Sequence, residues 1–129
     1  QLPEIVGDAH QLQQVFLNIV NNAYDAVCEA KRPGRIEIES ARVDDYAEIR
    51  FRDNGNGIKH PEKIFDPFFT TKEVGKGTGL GLSICYGIVR EHAGEISCHN
   101  NDNGPNAGAT FVVRLPLRIP ANQAYGANA

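Results

Sequence analysis

Apolar residues recur at helical spacing early in the chain. Leu12, Phe16, Ile19, Val20, Ala23 and Val27 fall on one face at about 100° per residue. Asp8 and Gln11 have the spacing of a capping box, and Pro33-Gly34 supplies a stop. A long helix from Asp8 to about Lys31 is therefore predicted, with Asn18, Asn22 and Asp25 together on the face opposite the apolar stripe. The period then changes to two. Ile36 and Ile38 alternate with Glu37 and Glu39 within 35–41, and Ala47, Ile49 and Phe51 alternate with Glu48, Arg50 and Arg52 within 46–53. Asp44-Asp45 provides turn residues between them, so the pair reads as an antiparallel hairpin.

Residues 53–78 are irregular and rich in Gly, Pro and Thr, with a short helical turn expected over 61–64. Irregular stretches of that length inside a compact domain usually signal function or disorder. A second helix is predicted from Gly79 to His92, with Leu80, Ile84, Gly87 and Ile88 as its packing stripe and Gly94 as its stop. A second strand pair follows at 95–100 and 109–116, joined by a polar loop. The last residues, 119–129, are small and polar and read as a flexible tail or linker, leaving 1–118 as one domain.

Composition narrows the class. With 129 residues, 41% hydrophobic and 22% charged, the chain can bury a core of its own. A net charge of −3 offers no basic field for nucleic acid or an anionic membrane, and no apolar run approaches the roughly 20 residues of a membrane span. Cys28, Cys85 and Cys98 are odd in number and form no CxxC pair, which fits buried reduced thiols better than a zinc site or a disulfide framework.

Four segments carry candidate chemistry. Asn18, Asn21 and Asn22 place poor helix formers in mid-helix, where a solvated face normally carries Lys and Glu. Their side-chain oxygens suit a Mg²⁺ ion that shares its shell with substrate phosphates. Asp53-Asn54-Gly55-Asn56-Gly57 holds a strong hairpin signal, yet no alternating strand follows it. By parity Asp53 lies with Ala47, Ile49 and Phe51 and faces the core, where a carboxylate needs donors. The exocyclic amine of a purine would be one, and Gly55 and Gly57 would let backbone approach a flat ring. Gly75-Lys76-Gly77-Thr78-Gly79-Leu80-Gly81-Leu82 runs into the second helix, an arrangement suited to anions. It matches neither the Walker A nor the GxGxxG pattern. Phe65-Asp66-Pro67-Phe68-Phe69-Thr70-Thr71-Lys72 reads either as an aromatic plug or as the anchor of a mobile lid whose Lys72 reaches phosphate.

Taken in order and spacing, these segments resemble the ATP-binding catalytic domain of sensor histidine kinases in the GHKL superfamily. Gln14 to Asn18 with Asn22-Ala23 is similar to the N box, and Asp53 to Gly57 to the G1 box. Phe65 to Lys72 is similar to the F box, Gly77 to Leu82 to the G2 box, and Gly108 to Phe111 to a last glycine box. The segment between Ile58 and Phe65 is shorter than the family pattern, and the chain is expected to be a fragment of a longer protein.

The resemblance implies an α+β Bergerat fold, a two-layer sandwich whose mixed, mostly antiparallel sheet carries helices on one face. It implies Mg²⁺ held by Asn22, with Asn18 one turn away at the phosphates. Asp53 would accept from the adenine amine, Gly55, Gly57 and Ile58 would line the base, and Thr110 would support that site. Asp25 matches a position that is water-linked to the base in several branches. Gly77, Thr78, Gly79, Leu80, Gly81 and Leu82 would cradle the phosphates, and Phe68, Thr71, Lys72 and Lys76 would add lid contacts. Asn18, Asn22 and Lys72 form the implied catalytic set.

The hydrolytic branches of the superfamily place a Glu one turn before the Mg-binding Asn, where this chain has Asn18. An amide cannot serve as that base, whereas phosphoryl transfer needs mainly positioning and charge stabilisation. None of His10, His60, His92 and His99 is followed by Glu or Asp, so the phosphoacceptor histidine is expected on a separate dimerisation domain outside this chain. The expected function is histidine autophosphorylation with a response regulator downstream. The domain would be cytoplasmic, without nucleic-acid or direct membrane contact, under a parent that could be membrane-anchored. An ATP-sensing module without transfer and a hydrolytic ATPase are the alternatives.

Overall fold

A computed structural model describes residues 8–30, 33–66, 81–101 and 108–117. Two helices and four strands follow one another as α1 (Ala9–Ala30), β1 (Ile36–Val43), β2 (Tyr46–Asp53), α2 (Gly81–Glu91), β3 (Glu95–Asn100) and β4 (Ala109–Pro116). The strands form one sheet in the order β1-β2-β4-β3, and every pairing in it is antiparallel. This is the mostly antiparallel sheet with helices on one face that the resemblance implies, and among the described residues no parallel pair occurs.

Helix α1 starts where the sequence places it. Asp8 accepts the Gln11 N–H on Oδ1 at 3.1 Å, a standard N-cap bond. The other half of the predicted capping box is replaced, because the Asp8 N–H donates to His92 Nε2 at 3.0 Å. That imidazole in turn lies 2.8 Å from the Ile88 carbonyl through Nδ1, so it ties the end of α2 to the start of α1. The buried stripe of α1 is Val15, Ile19, Ala23 and Val27, spaced every fourth residue, with Leu12, Phe16 and Val20 half-buried beside it.

The packing stripe of α2 is rotated by one residue from the predicted one. Cys85, Ile88 and Val89 are buried, whereas Ile84 is 41% exposed and Gly87 lies outward. Both phases fit a 3.6-residue period. The real one is selected because it sets Cys85 against α1, with its Sγ–H donating to the Val15 carbonyl at 3.7 Å.

The stop of α2 also differs in detail. Gly94 N–H donates to the Val89 carbonyl at 2.9 Å and Ala93 N–H to the Arg90 carbonyl at 3.0 Å, the two bonds of a Schellman motif. The left-handed position is filled by Ala93, at φ 62, and not by glycine. Glycine is needed one residue later, because a Cβ on Gly94 would lie 2.3 Å from the Arg114 carbonyl oxygen.

The core lies between the helices and one sheet face. Phe51, Ile96, Phe111, Val113 and Leu115 meet Val15, Ile19, Cys85, Ile88 and Val89 there. Phe16 packs on Phe51 at 5.9 Å, and Phe65 meets Phe111 edge-on at 6.2 Å, both favourable ring geometries. Strand β1 is an edge in the described sheet, and its Ile38 stays 56% exposed despite the apolar alternation. Cys85 is buried and Cys98 half-buried, with burial raising the Cys98 thiol to about 11. Cys28 is exposed, contrary to the expectation of three buried thiols; it sits on the outward face of α1. The tail 119–129 lies outside the described residues.

Candidate functional site

Strand β2 ends by driving Asp53 into the interior. The pleat puts every second residue on the helix side, and Ala47, Phe51 and Asp53 are all buried there. Asp53 is 3% exposed and has no basic partner among the described residues. Its Oδ1 instead accepts the Gly55 N–H at 2.8 Å and the Ala109 N–H at 3.3 Å. Oδ2 receives neither bond. Burial pushes this carboxyl above the ordinary range, while the two backbone donors pull the other way.

The loop after Asp53 is seated by backbone crowding. A Cβ on Gly55 would lie 2.7 Å from the Ala26 backbone of α1, so glycine lets the loop lie directly against the helix. Gly57 adopts φ +83, a conformation that favours glycine. Gly108, at φ +93, presses against the Asp53 carbonyl so closely that a Cβ there would fall 1.9 Å from its oxygen. Gly55 is thus held against α1 and Gly57 against the Asn100 side chain, the two glycines expected to let backbone approach a ring.

Three asparagines fix the same loop, Asn54 from within it and Asn100 and Asn101 from the end of β3. Asn54 Oδ1 accepts the Arg35 N–H at 2.7 Å, and its Nδ2 donates to the Pro33 carbonyl at 3.0 Å. Asn100 bonds both backbone groups of Ile58, at 2.6 and 2.9 Å. Asn101 Nδ2 donates to the Asp53 carbonyl at 3.1 Å. Asn100 and Asn101 were absent from the sequence-derived candidates, as was Ala109, whose contribution is a backbone N–H. The only signal for the asparagines was their place at the junction of a predicted strand, ending at Asn100, and the polar loop that opens at Asn101.

Thr110 lies on the far side of the sheet from Asp53. It stands opposite Arg52 in the ladder, and its hydroxyl donates to Asn101 Oδ1 at 2.5 Å. Among the described residues it is linked to Asp53 through Asn101. Ile58 packs against the core cluster.

On α1, Asn18, Asn22 and Asp25 are half-buried along one flank. They do not occupy the face opposite the stripe, as predicted; Leu17, Asn21, Tyr24 and Cys28 do, all exposed. The flank with Asn18 faces α2, where its side chain lies beside the Cys85 thiol. Ala26 on α1 meets Gly55, so the helix borders the Asp53 loop. Gly81 and Leu82 open the described part of α2, with nothing within 4 Å of a Cβ on Gly81. Phe68, Thr71, Lys72, Lys76, Gly77, Thr78, Gly79 and Leu80 lie outside the described residues. Phe65, at the head of the same motif, packs on Tyr86 at 5.9 Å as well as on Phe111. The short helical turn expected over 61–64 is a run of turns, closed by Lys63 N–H to the His60 carbonyl and Asp66 N–H to the Lys63 carbonyl.

Comparison with known proteins agrees with this geometry. The profile of the histidine kinase-, DNA gyrase B- and HSP90-like ATPase family matches residues 7–119. The two-component sensor PprA of Pseudomonas aeruginosa is 46% identical over 121 residues, which span 89% of this chain and 13% of PprA. The nucleotide-free catalytic domain of histidine kinase ThkA superposes with a TM-score of 0.71 at 38% identity, covering 86% of this chain and 70% of that one. Full-length ShkA, solved in complex with AMPPNP, superposes with a TM-score of 0.75 at 25% identity, covering 90% of this chain and 23% of ShkA. The chain spans only 13–25% of the length of PprA, CckA and sporulation kinase C, three of the curated relatives it matches. The chain belongs to the histidine kinase-, DNA gyrase B- and HSP90-like ATPase family, and within it to the ATP-binding catalytic domains of sensor histidine kinases.

Proposed function

We propose that this domain binds Mg-ATP and, within its full-length kinase, passes the γ-phosphoryl group to a histidine on a separate dimerisation and phosphoacceptor domain. The observation that carries the reading is Asp53. A buried carboxylate without a cation is costly; here one oxygen is stabilised by two backbone donors and the other remains able to accept. A purine's exocyclic amine would supply a donor to the second oxygen, which receives neither of those two bonds. Gly57 and Ile58 border the same loop and would line the base, and the AMPPNP-bound relative supports a nucleotide there.

The α1 flank suits the phosphate end. Asn22 offers a neutral oxygen donor, which fits an ion whose charge is already met by phosphates, and we assign it as the Mg²⁺ ligand. The ion, when bound, would offset charge on the transferring group. Asn18 stands one turn earlier, where it orients rather than deprotonates. Gly77 to Leu82, Phe68, Thr71, Lys72 and Lys76 would complete the phosphate side and the lid, and Asp25 would join the base through water. The reading places the domain in the cytoplasm, upstream of a response regulator, with any membrane anchor in the rest of the parent. No helix among the described residues is long and apolar enough to cross a membrane.

The test is autophosphorylation of the full-length parent with radiolabelled ATP. The expected result is acid-labile label on histidine, lost in Asn22→Ala. Steady phosphate release by the isolated domain, with no label on histidine in the parent, would overturn the reading.

A further inference from the structure

Asn100 is the last residue of β3, far in sequence from the loop it holds. Its carboxamide accepts the Ile58 N–H at 2.6 Å and donates to the Ile58 carbonyl at 2.9 Å. One side chain thus satisfies both backbone groups of one residue, as a neighbouring strand would. A primary amide carries the donor and the acceptor on separate atoms and can serve both at once, whereas a carboxylate lacks the donor and a leucine lacks both. The bonds fall directly after Gly57, which adopts a positive φ of 83°. A Cβ at Gly57 would lie 2.8 Å from Asn100 Oδ1, so the loop is seated tightly on this amide.

The next residue completes the hold. Asn101 Nδ2 donates to the Asp53 carbonyl, and Thr110 fixes the other end of that carboxamide. Asn101 N–H pairs with the Gly108 carbonyl at 2.9 Å, which keeps both asparagines in line with the end of β4. Adjacent side chains therefore grip the two ends of the 53–58 loop.

From this geometry we infer that Asn100 and Asn101 are positioning residues for nucleotide binding: a two-amide clasp that sets the base-side loop before the ligand arrives. The inference rests on the proposed adenine site and assigns a duty to residues outside its contacts. Its physical basis is preorganisation. A loop that is ordered only on binding takes its entropy cost out of the affinity. Freeing a single backbone residue there corresponds to about tenfold in affinity. Because the clasp serves the base and not the phosphates, its loss should weaken ATP and ADP by the same factor.

The experiment uses the 129-residue chain and its Asn100→Leu variant, titrated with ATP and ADP by calorimetry. Backbone amide exchange is followed by NMR in the absence of nucleotide. The expected result is about tenfold weaker binding of both nucleotides at temperatures where the variant is fully folded, with faster exchange at the Ile58 amide. If Asn100→Leu does not fold, Asn100→Asp, which keeps the acceptor and loses the donor, should give a smaller loss in the same direction. Wild-type affinity in the folded variant overturns the clasp and leaves the adenine site standing. A loss confined to ATP also overturns it, since that would place the effect at the γ-phosphate. A wild-type chain that binds neither nucleotide overturns the adenine site itself, and the inference with it.

Discussion

Strand β2 carries two carboxylates on opposite faces, and they are stabilised in different ways. Glu48 lies on the outer face with its side chain 13% exposed. Its Oε2 meets Arg50 Nε at 2.8 Å and its Oε1 lies 3.8 Å from Arg114 Nε. Arg114 extends the network to Glu95 at 3.6 Å and stacks 4.8 Å over the Tyr46 ring. Asp53 lies on the inner face, more deeply buried, and among the described residues its carboxylate receives the backbone N–H groups of Gly55 and Ala109. Charge balances charge in the first case, which makes a structural contact. In the second the carboxylate keeps an acceptor in reserve at some cost to the fold, the pattern expected of a binding group.

Four outcomes would break or sharpen this contrast. The largest concerns the seat of Asp53. Gly108→Ala puts a methyl 1.9 Å from the Asp53 oxygen at a positive φ, and should cost about 3 kcal/mol or more, read by thermal melting. Gly87→Ala, in open space on α2, should instead stabilise by about 1 kcal/mol. Equal effects would mean that the loop has more room than its geometry indicates.

Next is Asp53→Asn. It should weaken ATP binding at least about tenfold, since an amide offers the base a weaker and partly misdirected partner. It should also raise the melting temperature of the nucleotide-free protein by a few degrees, because burial disfavours the charge it removes. A variant that binds normally or loses stability would contradict the assignment.

The pH dependence follows from the same shift. The folded carboxyl titrates above its unfolded value, so the native state holds the proton more tightly between the two. The stability contributed by Asp53 therefore falls as pH rises through that window and is constant above it. Nucleotide affinity should run the other way, falling as acid protonates the acceptor. Comparing wild type with Asp53→Asn isolates this term from the other carboxylates. The smallest effect is at Glu48→Gln, which should cost about 1 kcal/mol, lessened by salt, and leave nucleotide affinity unchanged.

Much of this arrangement is legible in the sequence. Strand parity alone places Asp53 inside, because a period of two allows only two faces. The hairpin at Asp44-Asp45 and the start of α1 at Asp8 follow from local turn and cap chemistry in the same way. Long-range choices were not legible. The phase of α2 depends on which residues meet α1, and periodicity alone fits two of them. The hold of Asn100 on Ile58 joins positions 42 residues apart, so nothing near Asn100 announces it. The indirect route of Thr110 was not legible either: the motif names it, and the ladder sets it opposite Arg52, so its link to Asp53 runs through Asn101 while the Ala109 backbone makes the direct contact.

The central claim is that the open oxygen of Asp53 receives the amine of adenine. Titration of the chain with ATP and with inosine triphosphate, in which that amine is a carbonyl, tests it most directly. The account predicts at least about hundredfold preference for ATP, because a site built around a donor rejects the analogue that lacks it. The gap should narrow in Asp53→Asn, whose amide can serve the carbonyl. Equal affinity of wild type for the two nucleotides would contradict the account.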